Sequence, residues 1–149
     1  PYSLTISSGL ITYLGNLLPI LIPLEPKIIP WWTNFLNGSL TLTRDTTQSY
    51  VNATDFGRIA AYRRNGFYVI RGNLNISSSI PNNTASVAFG TISNYTAPYE
   101  AIITVPAQNG AGCALITITA DGVIKLGNYS GVPISGWCRF NIIVPTTDP

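Results

Sequence analysis

From Ser39 onward, apolar and polar positions come in short runs separated by clusters of turn-forming residues. Ser39-Leu40-Thr41-Leu42-Thr43 alternates with period two, the pattern of a half-buried strand. Arg58–Tyr62 and Phe67–Ile76 flank Arg64-Asn65-Gly66. Asn-Gly between two such runs is the strongest short hairpin signal, because a type I′ turn needs positive φ at both central residues. Further runs occupy Val87–Ile92 and Glu100–Val105. Ala114–Thr119 and Val123–Leu126 bracket the turn Ala120-Asp121-Gly122, and Trp137–Val144 closes the series. No window carries a convincing 3.6-residue period. The pattern predicts an all-β domain over 39–149, an antiparallel β-sandwich or Greek-key barrel.

Residues 1–38 read differently. Between Ser3 and Leu36 the only charges are Glu25 and Lys27, and Leu17 to Ile29 is almost continuously apolar. Pro19, Pro23, Pro26 and Pro30 interrupt any helix or central strand. Exposed apolar side chains at this density need cover. The segment is expected to be extended and packed against symmetry-related copies, serving oligomerisation, or else an arm lying across its own domain. Trp31-Trp32 then serves as a hinge anchor or interface plug. The chain of 149 residues holds no Met, so a segment is expected to precede Pro1.

Composition narrows the chemistry. Hydrophobic residues make up 46% and charged residues only 9%, against a usual ~25% charged. That balance supports a core and a polar, uncharged surface of the kind secreted and virion proteins carry. There is no His, which removes Ser-His-Asp and Cys-His catalysis and most catalytic metal sites. Asn109-Gly110-Ala111-Gly112 lacks the Lys-Ser/Thr of a phosphate-binding loop. Asp45, Asp121 and Asp148 fall at turns or in the tail, and no carboxylate pair has a hydrolase signature. A non-enzymatic protein without cofactor or metal is the expectation. Net charge is +2 with no basic run longer than Arg63-Arg64, so nucleic acid is not an expected partner. No apolar stretch is long enough to predict a spanning helix. Cys113 and Cys138 are expected either as one disulfide between neighbouring strands or as two buried thiols.

Asn-x-Ser/Thr triplets begin at Asn37, Asn52, Asn75, Asn82, Asn94 and Asn128. They suit a glycosylated surface protein, and equally the Asn, Ser and Thr of ordinary turns. Saccharide binding needs aromatic faces for C–H groups and planar polar groups for hydroxyls. Two loop groups offer both: Asn94 and Tyr95 through Tyr99, and Asn128 and Tyr129 within Gly127–Gly136. Trp137 at a strand start is more often core than platform. Arg63 and Arg64, beside the hairpin tip, are candidates for phosphate contact.

A set of ordered motifs runs from Arg58 to Val144. It comprises Tyr62-Arg63-Arg64-Asn65-Gly66, Val69-Ile70-Arg71-Gly72-Asn73, Phe89-Gly90-Thr91-Ile92 with Pro98, and Val105-Pro106. Leu115-Ile116-Thr117-Ile118, Asp121-Gly122-Val123-Ile124-Lys125-Leu126, and Trp137 with Phe140–Val144 complete it. In this order the sequence resembles the distal head domains of tail-fibre and baseplate receptor-binding proteins of phages infecting Gram-positive bacteria. Its apolar first segment resembles the neck of the lactococcal siphophage members. The resemblance implies a homotrimeric β head at the virion tail tip that binds host cell-wall saccharide or phosphopolysaccharide. It also implies attachment to other baseplate or tail proteins through the part preceding Pro1. The competing expectations are a virion or fibre-assembly module that binds no ligand, and a secreted surface adhesin.

Overall fold

The computed structural model describes residues 37–109 and 111–147. Residues 1–36, with the expected neck and Trp31-Trp32, lie outside the described residues. Gly38, assigned to the neck by the sequence reading, opens the first strand of the head.

The strands are β1 (Gly38–Ser39), β2 (Leu42–Arg44), β3 (Ile59–Arg64), β4 (Phe67–Ile80) and β5 (Thr84–Ile92). They continue with β6 (Ala101–Pro106), β7 (Cys113–Ile118), β8 (Val123–Asn128) and β9 (Ile134–Pro145). One sheet has the order β1-β3-β4-β9 and the other β2-β5-β8-β7-β6, with every pairing antiparallel. The result is a β-sandwich among the described residues, not a closed barrel.

Alternation explains which face is buried. In β4, Tyr68, Ile70, Leu74 and Ile76 turn inward; in β9, Ile134, Cys138, Ile142 and Val144 do the same. They meet Ile116, Ile118, Ile124 and Leu126 of the facing sheet in one core cluster. The β3–β4 turn has Asn65 at φ 52° and Gly66 at φ 82°, the type I′ geometry that Asn-Gly predicts. The run Ser39–Thr43 is not one strand: β1 pairs with β3, while β2 pairs with β5 in the other sheet. Leu40 N–H bonds Ala61 and Ser93 N–H bonds the Thr41 carbonyl, so the chain crosses between sheets within the run.

A helix α1 (Ala53–Phe56) escaped the periodicity reading because one turn is too short to show a period. Asn52 caps it, its side chain accepting from Asp55 N–H at 2.8 Å. Phe56 packs edge-on against Phe89 at 6.2 Å between ring centroids. Both cysteines are free thiols, Cys138 buried and Cys113 half-buried. Burial pushes the Cys138 thiol up to about 11.

Two interior glycines make room for rings. A Cβ on Gly72 would run into the Phe140 ring, and one on Gly90 into the Phe56 ring. Replacing a strand glycine ordinarily strengthens the strand. At Gly72 the sign reverses: Gly72→Val is expected to lower stability by about 1–3 kcal/mol through overpacking, read as a lower urea midpoint with an unchanged slope. A second expectation concerns the thiols. A disulfide reagent at neutral pH should label Cys113 quickly in the native protein and reach Cys138 only on unfolding.

Candidate functional site

The parity that buries Ile70 and Leu74 turns Arg71, Asn73 and Asn75 outward, and in β9 it turns out Trp137, Arg139 and Asn141. Pairing then sets Arg71 opposite Asn141, Asn73 opposite Arg139, and Asn75 opposite Trp137. On the other side of β4, Ala60 lies opposite Arg71 and Tyr62 opposite Val69. Arg58, just before β3, joins this row, its carbonyl accepting from Asn73 N–H at 3.5 Å.

Two adjoining depressions lie on this outer face. One, of about 660 Å³, is lined by Arg58, Tyr62, Arg71, Arg139 and Asn141 among others. The second, of about 640 Å³, runs between Arg58, Arg139, Trp137 and Gln108. They share Arg58, Asn73 and Arg139 as common walls. A third, of about 290 Å³, shares Tyr62 with the first and reaches Arg64 at the hairpin.

Local contacts hold the face in shape. The Arg58 guanidinium lies 5.0 Å from the centroid of the Trp137 ring, a cation–π distance. Its Nε is 3.7 Å from Asp55 Oδ1, with the arginine side chain 49% exposed and the carboxylate 7%. The other Asp55 oxygen accepts from Asn75 Nδ2 at 3.5 Å. One carboxylate on α1 therefore ties down both neighbours of Trp137. Asn73 Oδ1 is buried without a hydrogen-bond partner.

The described charges are unevenly spread. Arg58, Arg63, Arg64, Arg71 and Arg139 lie in or beside the four-stranded sheet, with Asp55 on α1, whereas the five-stranded sheet carries Arg44 and Lys125 and is bordered by Asp45, Glu100 and Asp121. The sequence shows no basic cluster, but the fold makes one. Guanidinium groups take phosphate or carboxylate through paired hydrogen bonds. The indole offers an apolar face and the amides read hydroxyls. Among the described residues no group of His, Cys, Asp or Glu could hold a metal ion.

The candidates named from sequence are scattered over the molecule. Trp137 stands on the outer face of β9 rather than in the core. Arg64 is exposed at the hairpin end of the same face. Arg63 has the inward parity of Ile59 and Ala61, its guanidinium 5.6 Å from the Tyr68 ring centroid. Tyr95 is a core residue, 4% exposed, stacked 4.3 Å from Tyr68. Asn128 is 0% exposed and spent on structure: it donates to the Ile80 and Val132 carbonyls and accepts from Ser130. A glycan could not be attached to it in the folded state. Asn94, Tyr99 and Tyr129 are exposed, but none of them lines the arginine face. Arg58, Arg71, Asn73 and Arg139 were missed. Period two places Arg71 with Asn73, and Trp137 with Arg139, on common faces; only the β4–β9 pairing unites the two sets.

Scanning protein-family models and curated proteins matches this chain to nothing. Among solved structures it matches the head domain of lactococcal phage bIL170, a receptor-binding domain. The TM-score is 0.55 at 19% identity, over 74% of this chain and 98% of that one. The described head has the fold of that phage head domain. The likeness spans nearly all of the bIL170 head.

Tyr95 generates a pH prediction. Burial, with Tyr68 and Tyr99 nearby, pushes its phenol up from 10.0 to about 12. The fold thus favours the neutral form, and this contribution is complete below pH 10 and lost as pH rises through 12. Its hydroxyl is also buried without a partner. Tyr95→Phe is expected to leave thermal stability at pH 7 unchanged or higher, and to remove part of the decline between pH 10 and 12.

Proposed function

We propose that this chain is the non-catalytic receptor-binding head of a phage tail protein, adhering to host cell-surface saccharide or phosphopolysaccharide during adsorption. The observation that carries the reading is one open sheet face bearing Arg58, Arg71, Arg139 and Trp137. It sits on a fold shared with a phage head domain. Arginines suit the phosphates of a wall polymer, and the indole suits a sugar ring. Shallow open sites of this kind bind weakly one at a time. Adhesion then comes from several heads engaging together, as a homotrimer displayed on a tail-tip baseplate.

Purified head is expected to block adsorption of the parent phage to its host. Combined Trp137→Ala and Arg139→Ala should raise the concentration needed by about tenfold or more, equivalent to ~1.4 kcal/mol, with the circular dichroism spectrum unchanged. Undiminished blocking by that variant would remove this face from receptor binding. Light scattering on the native protein should give three times the chain mass, and a stable monomer of 16.0 kDa would refute the trimer.

A further inference from the structure

Asn-Gly occurs in the chain at Asn37-Gly38, Asn65-Gly66 and Asn109-Gly110. This dipeptide is the one most open to self-modification, because a residue without a Cβ lets its amide nitrogen approach the asparagine side-chain carbon unhindered. The dipeptide is the same in all of them, so the fold must tell them apart. Asn37 Oδ1 already accepts from the Asn65 N–H at 3.0 Å, and Gly38 is paired with Arg63 in β1. The Asn109 N–H and carbonyl both bond Ser135, at 3.1 and 3.3 Å. Asn65 differs. It is exposed at the tip of the β3–β4 hairpin, and among the described residues nothing bonds its side-chain amide or the Gly66 N–H.

What restrains this turn comes from both ends of the described head. Asn37 holds the Asn65 N–H from one side. From the other, the Gly66 carbonyl accepts from the Thr146 N–H at 2.9 Å and from the Thr146 hydroxyl at 3.0 Å. We propose that Asn65 is a site of spontaneous deamidation, selected among the Asn-Gly pairs by its unengaged amide and gated by Thr146. The Gly66 nitrogen gives up its proton to water and attacks the Asn65 Cγ. The new C–N bond closes a cyclic imide, and the side-chain nitrogen takes up a proton and leaves as ammonia. Water then opens the imide at either carbonyl, giving aspartate or isoaspartate. No oxidant or reductant is needed. Closing the ring swings Gly66 out of its type I′ position, which pulls its carbonyl off Thr146. Either product places a carboxylate beside Arg64, and isoaspartate also adds a main-chain carbon to the turn that sets the Arg64–Phe67 pair.

The test is incubation of the native protein at mildly alkaline pH, followed by peptide mass mapping and by labelling with an isoaspartate methyltransferase. Asn65 should gain about 1 Da, and do so roughly tenfold faster than Asn37 or Asn109. In denaturant all of the Asn-Gly pairs should react at similar rates, because only the fold separates them. The product should leave a cation exchanger earlier than fresh protein. Thr146→Val removes the hydroxyl donor and keeps the backbone bond. It should speed the reaction at Asn65 by roughly threefold to tenfold, the scale of one net hydrogen bond, and leave Asn109 unchanged. Asn65 intact in native protein after the denatured chain has reacted overturns the proposal. So does reaction at Asn37 or Asn109 as fast as at Asn65, or a Thr146→Val rate equal to that of the unaltered protein.

Discussion

The register of β4 against β9 is the constraint on which the core and the candidate site both depend. These are the two longest strands among the described residues, Phe67–Ile80 and Ile134–Pro145, and they pair continuously from Phe67 to Ile76. Because side chains alternate, slipping the pairing by one residue would exchange faces. Ile142 and Val144 would turn to solvent, while Arg139 and Asn141 would turn into an apolar interior. Unpaired guanidinium groups are costly to bury, so the alternative is strongly disfavoured. The same pressure that fills the core thus fixes which residues share the outer surface. Gly72 belongs to this arrangement, since it lets the Phe140 ring lie across β4.

A chain with so few charges makes each placement count. Only 9% of residues are charged, yet most of the described arginines fall in or beside one sheet, and the described acids outside α1 border the other. Packed sheets lie about 10 Å apart, close to the screening length of physiological salt. The outer faces of the two sheets are therefore too far apart for an ion pair between them. A small net charge of +2 is compatible with a strongly one-sided surface, and net charge alone conceals it.

Much of the strand pattern was legible because period-two alternation and turn residues are local signals. Asn65-Gly66 announced its hairpin, and Asp121-Gly122 another, with Gly122 at φ 94°. Less legible were features decided by distant parts of the chain. Ser39–Thr43 alternates as one strand, but which sheet each half joins depends on β3 and β5. Tyr95 and Asn128 have the composition of binding loops; their burial follows from Tyr68 and from the carbonyls of Ile80 and Val132. Trp137 at a strand start is ambiguous from sequence, and its parity relative to Cys138 decides it. The arginine face was hidden for a related reason: Arg58, Arg71 and Arg139 come from three regions of the sequence. Strand faces can be read locally, whereas strand partners cannot.

The contact between Arg58 and Trp137 illustrates how this face can be both ordered and available. An ion pair with a half-exposed arginine contributes little to stability, so Asp55 does not lock Arg58 away. The stacked ring limits where the guanidinium can go. A side chain held in place by weak contacts loses less freedom on meeting a ligand than one waving in solvent. Asp55 also fixes Asn75 beside the same indole. The acid is 7% exposed, so it presents little repulsive surface to an incoming anion. Its position on a capped turn before β3, rather than on the sheet itself, lets it support the cationic face without standing on it.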